Sequence, residues 1–241
     1  MKRPFAAWIM AFSMLALAGC GDTVKSPSTP ATKANDTPSS ITQESQHTAA
    51  ENASETASEE NRASADAKIL VAYFSRAGEN YHVGTVEKGN TQIMAEMIAE
   101  ETGGTLFKIE TVNPYPASYD ACTDVAKQEQ NDNARPALNA TIDNFSDYDI
   151  ILLGYPIWWG DMPMAMYTFL ESYDFSGKTI LPFNTHEGSG NAGTMSKIRS
   201  AAPQATVLDG LAVQGKTAQE SRDSTKKTIL EWLSNSNLDK E

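Results

Sequence analysis

Two adjacent tryptophans, Trp158 and Trp159, lie in the segment of this 241-residue chain best suited to binding chemistry. They follow Pro156 and stand between Gly154 and Gly160. Proline fixes its own backbone angle, glycine permits tight turns, and indole rings offer flat apolar faces. A planar aromatic ligand could therefore stack here, although the two rings could equally do no more than cap a hydrophobic core.

A second group of polar residues precedes a predicted helix that begins near Thr91. Ser75 ends the first predicted strand, and Gly89 and Asn90 stand directly before the helix. The free N–H groups and positive dipole end of a helix favour an anion such as phosphate, to which these side chains could add hydrogen bonds. The alternative is that Asn90 only caps the helix. The common phosphate-binding sequences G-x-x-x-x-G-K-[ST] and G-x-G-x-x-G are absent.

A third segment, residues 185–193, is small, polar and rich in glycine, so it could present backbone N–H groups to a ligand ring. His186 could donate a proton or be a structural hydrogen-bonding residue, and Ser189 lacks the Gly-x-Ser-x-Gly pattern of hydrolases. The other histidines, His47 and His82, have no carboxylates or thiolates at metal-binding spacing. No metal centre and no catalytic side chain are predicted.

The elements that must position these segments alternate between strand and helix. Strands are predicted at residues 68–75, 105–112, 148–155, 178–185 and 206–213. Helices are predicted at residues 91–101, 119–131, 164–173, 192–201 and 218–233. Five strand–helix pairs predict an α/β fold with a parallel sheet covered on both faces. Ligands of such sheets bind beyond the carboxyl ends of the strands, where all three segments lie.

Four segments together resemble the bacterial flavodoxin family: residues 73–75, 89–91, 154–160 and 185–190. The resemblance extends over residues 68–234. It implies a flavodoxin-like, doubly wound, five-stranded parallel sheet of order 2-1-3-4-5 in a three-layer α/β/α arrangement. It also implies one non-covalently bound FMN.

The resemblance further implies which residues bind the cofactor. The phosphate would be held by Ser75, Arg76, Ala77, Asn90 and Thr91. The isoalloxazine would be flanked by Pro156, Ile157, Trp158, Trp159 and Gly160, with Trp158 the first candidate for the stacking ring and Trp159 the second. The far side would be closed by His186, Glu187, Gly188, Ser189 and Gly190.

One departure from the family pattern concerns residues 77–88, which are inserted between the two halves of the phosphate segment. Gly78 and Asn80 could therefore replace Asn90 and Thr91 as phosphate ligands. The tip of the insertion, Tyr-His-Val at residues 81–83, could cover the flavin or dock a partner.

The N-terminal residues predict export. Lys2 and Arg3 precede an apolar stretch at residues 5–17, too short for a comfortable membrane span, and Leu-Ala-Gly-Cys follows at residues 17–20. Residues 1–19 are predicted to be a signal peptide whose end resembles the lipobox of bacterial lipoproteins, which implies lipidation of Cys20. The alternatives are an ordinary signal peptide or an uncleaved anchor.

Composition then divides the remainder of the chain. Residues 20–66 predict a disordered tether, residues 67–236 the globular domain and residues 237–241 a disordered tail. The net charge of -12 argues against nucleic-acid binding. With Cys20 lipidated, Cys122 has no disulfide partner, and a reactive-thiol role is a minor alternative.

These observations predict a monomeric, extracytoplasmic flavodoxin-like protein that is lipid-anchored to a bacterial membrane and transfers electrons. Its partners would be redox proteins or the membrane quinone pool. The first alternative is an NAD(P)H-dependent FMN oxidoreductase acting on quinones, nitro compounds or azo compounds. The second is a binding or scaffold lipoprotein that has lost its flavin.

Overall fold

The computed structural model describes residues 67–238. Its strands are β1 Ile69–Phe74, β2 Gly78–Asn80, β3 Gly84–Val86, β4 Thr105–Ile109, β5 Ile150–Pro156, β6 Thr179–His186, β7 Thr206–Val207 and β8 Leu211–Gln214. Its α-helices are α1 Asn90–Thr102, α2 Tyr119–Asn131, α3 Met164–Ser172, α4 Thr194–Ala201, α5 Gly215–Glu220 and α6 Arg222–Asn235. The predicted signal peptide, Cys20 and the predicted tether lie outside the described residues.

The main sheet is parallel and has the strand order β4-β1-β5-β6-β7, with β8 also pairing with β6. Since β7 and β8 together occupy the fifth position, the predicted order 2-1-3-4-5 is confirmed. The central strands are apolar and buried on both faces, as in β5, where residues 151–155 are all buried. Such strands need helices on both sides, which produces the three-layer arrangement.

Two hydrophobic cores lie on the two faces of the sheet, because successive side chains of a strand point to opposite faces. Val71 and Tyr73 pack with α1, α5 and α6 on one face. Leu70, Ala72 and Phe74 pack with α3 and α4 on the other. The carboxyl end of β1 is thus held rigidly between two cores.

Two predicted elements are wrong in detail. The fifth strand is not continuous over residues 206–213, because Leu208 to Gly210 lie outside both β7 and β8. Leu208 N–H donates to Ile180 O at 3.0 Å, so the backbone of Ile180 faces residues 206–213. The backbone of Pro182, two residues later in β6, faces the same segment, but proline has no N–H to donate to it. The predicted last helix is divided into α5 and α6 at Ser221.

The insertion at residues 77–88 contains a β-hairpin that was not predicted. Strands β2 and β3 pair antiparallel, with Gly78 opposite Val86 and Asn80 opposite Gly84. Within residues 67–238, no helix combines the length and the apolar character that crossing a membrane requires.

Candidate functional site

A cleft of about 210 Å³ lies at the carboxyl ends of β1, β5 and β6. Of the predicted site residues, its lining includes Arg76, Asn90, Pro156, Ile157, Trp158, Trp159, His186 and Glu187. Those that are not part of the lining are Ser75, Ala77, Thr91, Gly160, Gly188, Ser189 and Gly190. All three predicted segments therefore meet at one cleft.

The phosphate segment is organised around the first turn of α1. A helix N-terminus leaves its first N–H groups without partners inside the helix. Gly89 has no side chain to cap them, and Ser75 Oγ instead accepts from Gln92 N–H at 3.0 Å. A Cβ at position 89 would lie only 2.3 Å from Ser75 Oγ and 2.4 Å from Arg76 O, so only glycine permits this close approach.

Thr91 and Asn90 have different surroundings. Thr91 is buried, and its hydroxyl shares a 2.8 Å hydrogen bond with Thr185, which ties α1 to the end of β6. Asn90 lines the cleft, and its buried Oδ1 has no hydrogen-bond partner among the described residues. Asn90 therefore retains an acceptor that is free for a ligand.

Arg76 has a structural role that was not predicted. Its Nη1 donates to Pro116 O and Ala117 O, both at 2.9 Å, and its Nη2 donates to Glu79 O. The guanidinium thus joins the hairpin to the segment that leads into α2. The buried Nε has no partner among residues 67–238. Because three of the five guanidinium N–H groups are engaged, Arg76 can offer a ligand at most two, one on Nε and one on Nη2.

The aromatic loop, defined here as residues 156–161, ends in a tight turn. Trp158 N–H donates to Asp161 O at 2.8 Å, and Asp161 N–H donates to Trp158 O at 3.0 Å. The two central residues have positive φ angles, 52° at Trp159 and 71° at Gly160, which defines a type I′ turn. Glycine adopts this conformation readily, whereas a bulky residue such as Trp159 rarely does.

The two tryptophans face different environments. Trp158 packs edge-on against Phe74 and Tyr115, with ring centroids 5.3 and 5.1 Å away. Trp159 is 54% exposed, and its Nε1–H donates to Thr123 O at 2.9 Å. Both line the cleft, but Trp158 belongs to the core, and Trp159 has the freer ring.

The side chain of Asp161 holds the aromatic loop in place. Its Oδ1 accepts from Met162 N–H at 2.7 Å and from Tyr167 OH at 3.0 Å, while Oδ2 pairs with Lys197 Nζ at 2.6 Å. Burial, followed by the charge of Asp161, raises the pKa of the Tyr167 phenol well above its usual range, so the hydroxyl remains a donor. Asp161 thereby links the loop to α3 and α4.

The third loop, defined by residues 185–193, begins with the last two residues of β6. His186 Nδ1 accepts from Gly188 N–H at 2.9 Å, so this ring nitrogen acts as a structural acceptor. Glu187 Oε1 accepts from Lys216 N–H at 3.1 Å, and Glu187 Oε2 lies 3.5 Å from His82 Nδ1. The side chain of Glu187 therefore connects the third loop to both α5 and the hairpin tip.

One wall of the cleft was not predicted, namely the face of α2 that carries Tyr119, Cys122, Thr123 and Ala126. Asn80 and Tyr81 of the insertion also line the cleft, and the tip of the insertion was predicted either to cover the flavin or to dock a partner. The i, i+3, i+4, i+7 spacing of the α2 residues is the one signal in the sequence that could have indicated a common face. Burial raises the pKa of the Cys122 thiol, which lowers its thiolate fraction and disfavours the reactive-thiol alternative.

The hairpin tip is attached to both neighbouring walls. The Tyr81 ring stacks on His82 with centroids 3.9 Å apart and lies nearly parallel to the Tyr119 ring at 5.7 Å. Glu79 Oε2 accepts from Tyr119 N–H at 3.0 Å. The insertion is thus a wall of the cleft.

The donor set fits a flavin nucleotide. Near the start of α1, helix N–H groups and the Ser75 hydroxyl suit a phosphate. Asn90 Oδ1 and Arg76 Nε are buried polar atoms without partners among the described residues. An exposed indole at Trp159 offers a face for a planar ring. Residues 67–238 contain no group of His, Cys, Asp and Glu side chains arranged for a metal ion.

The fold and the cleft define a doubly wound α/β protein with a nucleotide-type site at the switch point of its sheet. A family model for flavodoxins matches residues 68–235, more than half of the chain. The chain therefore belongs to the flavodoxin family. This membership confirms the predicted cofactor, FMN, which flavodoxins bind at the switch point of the sheet.

Solved structures agree with this assignment. A protein from Bacteroides uniformis assigned as a flavoprotein is 30% identical, with a TM-score of 0.55 over 68% of this chain and 97% of that one. A second, from Bacteroides eggerthii, is 29% identical, with a TM-score of 0.53 over 66% of this chain and 98% of that one. A flavoprotein from Lactobacillus acidophilus, solved in complex with FMN, is 22% identical, with a TM-score of 0.50 over 66% and 99%. The last similarity shows the fold.

Proposed function

We propose that this domain binds one FMN in the cleft and carries electrons between redox partners on the outer side of a bacterial membrane. The observation that supports this most is the meeting of three loops at the carboxyl ends of β1, β5 and β6 in a chain of the flavodoxin family. Bound FMN supplies the redox chemistry, and the protein supplies binding and orientation.

Different residues bind different parts of FMN. The first N–H groups of α1 and the Ser75 hydroxyl hold the phosphate, and Asn90 accepts from a hydroxyl of the ligand. Thr91 instead ties α1 to β6 through its hydrogen bond with Thr185. Trp159 presents its free face to the isoalloxazine, while Trp158 supports the loop from the core side. The third loop offers backbone N–H groups to the polar edge of the ring.

The walls of the cleft favour an electron carrier over a reductase. Asn80 and Tyr81 of the insertion and Tyr119 of α2 line the cleft opposite the aromatic loop. These side chains occupy the space that a second planar ring would need. Hydride transfer from NAD(P)H requires a nicotinamide against the flavin, whereas electron transfer requires only that an edge be near the surface.

Two assays on the purified full chain test this function. We expect flavin absorbance in the purified protein after reconstitution with FMN, and no NAD(P)H oxidation above background with or without a water-soluble quinone. Quinone-stimulated NAD(P)H oxidation would support the reductase instead. A chain that takes up no FMN would support a scaffold role.

The membrane anchor requires a separate experiment. Attachment through Cys20 would place the domain near membrane-bound redox proteins or the quinone pool, and several acyl chains hold a protein durably. We expect a labelled fatty acid to be incorporated into the full chain but not into Cys20→Ser, which should leave the membrane fraction. Cys122→Ser is the matched control and should be labelled like the natural chain.

A further inference from the structure

Trp159 has a backbone conformation that bulky residues seldom adopt. Its φ of 52° lies in the left-handed region, and such a conformation persists only where the surroundings enforce it. With 54% of its surface exposed, Trp159 does not owe this conformation to burial in the core. Specific contacts must therefore hold it.

Helix α2 provides three such contacts. Trp159 Nε1–H donates to Thr123 O at 2.9 Å, and Gln130 Nε2 donates to Trp159 O at 3.3 Å. The Lys127 ammonium lies over the indole ring, 5.1 Å from its centroid. The spacing of Thr123, Lys127 and Gln130 places them along one stripe of the helix.

Lys127 and Gln130 are also in contact with each other. Lys127 Nζ donates to Gln130 Oε1 at 2.9 Å, and both side chains are half-buried. Neither lines the cleft, whereas Trp159 does. Their influence on a ligand in the cleft therefore passes through Trp159.

We propose that Lys127 and Gln130 are positioning residues of the flavin site, which hold Trp159 as the stacking face for the isoalloxazine. This inference rests on the proposed function. Gln130 fixes the backbone of Trp159, and Lys127 fixes the ring and places a positive charge behind it. Reduction by an external donor adds negative charge to a bound flavin, so this cation favours the reduced form.

The two residues differ in charge, which makes their effects separable. Gln130→Ala removes a hydrogen bond without changing the charge, so it should weaken FMN binding and leave the reduction potential unchanged. Lys127→Met removes the ring contact and the charge, so it should weaken FMN binding by about 2- to 5-fold and also lower the potential. Lys127→Arg should restore both properties, because a guanidinium stacks on indole.

The experiment is an FMN titration and a spectroelectrochemical titration of each full-length variant, with Lys226→Met as the control. Lys226 lies on α6 and pairs with Glu101, so its loss changes the net charge equally but away from the cleft. In a Trp159→Ala background, Lys127→Met should have no further effect on FMN affinity, because its effect passes through the indole.

Two results would overturn the proposal: equal potentials for Lys127→Met and Lys226→Met, or an undiminished effect of Lys127→Met without Trp159. Failure of the proposed function itself is distinguishable, because the natural chain would then bind no FMN at all.

Discussion

The aromatic loop and the hairpin in residues 77–88 line the same cleft but are held in different ways. Asp161, which is 9% exposed, fixes the aromatic loop through a 2.6 Å ion pair and two further hydrogen bonds. The hairpin tip depends on Tyr81, which is 51% exposed, and on a 3.5 Å contact between His82 and Glu187.

This difference in burial indicates a difference in mobility. Exposed ion pairs contribute about 0–1 kcal/mol, whereas removing one partner of a buried charged hydrogen bond costs about 1–3 kcal/mol or more. We therefore expect the aromatic loop to be a fixed wall. The hairpin tip should be a wall that opens at small cost and admits the cofactor.

The largest expected effect separates the two tryptophans of the fixed wall. Trp158→Ala removes a ring that packs on Phe74 and Tyr115, so the free energy of unfolding should fall by about 3 kcal/mol. Trp159→Ala removes an exposed ring and should lower it by about 1 kcal/mol or less. Chemical denaturation of the FMN-free chain measures both, and equal losses would refute the assignment of Trp158 to the core.

The second prediction concerns Asp161, which holds the aromatic loop in place. Asp161→Asn leaves an acceptor for Met162 N–H but loses the ion pair with Lys197, so the free energy of unfolding should fall by about 1–3 kcal/mol. Asp147→Asn is the control, since its pair with Lys68 is exposed and should change stability by about 0–1 kcal/mol. Similar losses in the two variants would mean that Asp161 does not anchor the loop.

The third prediction concerns the opening of the hairpin. Tyr81→Ala combined with His82→Ala removes the ring stack and the contact with Glu187, so FMN should dissociate about 5-fold faster. Thr85→Ala with Glu87→Ala changes two exposed hairpin residues that do not line the cleft. Stopped-flow release of FMN from both double variants decides the matter, and equal rates would contradict a closing role for the tip.

The smallest expected effect is a pH dependence of the free energy of unfolding, caused by Glu129. Tyr115 OH donates to Glu129 Oε2 at 2.6 Å, and Tyr115 packs on Trp158. Burial raises the pKa of Glu129, only partly opposed by the hydrogen bond from Tyr115. Because the folded carboxyl holds its proton more tightly than the unfolded one, this stabilisation is complete below the ordinary Glu pKa and is lost as pH rises through the raised value.

Denaturation at a series of pH values between about 4 and 7 tests this dependence. The loss of stability with rising pH should be smaller in Glu129→Gln than in the natural chain. Glu220→Gln, an exposed change on α5, should retain the natural profile. An unaltered profile in Glu129→Gln would show that this carboxyl does not titrate differently in the folded state.

The sheet could be predicted because its strands are governed by local sequence. An apolar run such as residues 150–153 indicates a strand buried on both faces, whatever its neighbours. The hairpin could not be predicted in this way. Its strands, Gly-Glu-Asn and Gly-Thr-Val, have no apolar alternation, and their partners include Ala117 and Tyr119, far along the chain.

Within the site, the loops were predictable, but the direction of individual side chains was not. Which of Trp158 and Trp159 faces the core depends on a turn that Asp161 holds from α3 and α4. Arg76 was expected at a phosphate, yet its Nη atoms bind carbonyl groups of residues 79, 116 and 117. Such choices depend on contacts between distant residues and leave no periodic signal.

The most direct test of the central claim is a titration of the full chain in detergent with FMN, followed by quenching of flavin fluorescence. We predict saturable binding of one FMN per chain, and an affinity at least about 5-fold weaker in Trp159→Ala, since base–aromatic stacking contributes about 1–3 kcal/mol. The absence of saturable binding, or an affinity that Trp159→Ala does not change, would contradict the flavin site described here.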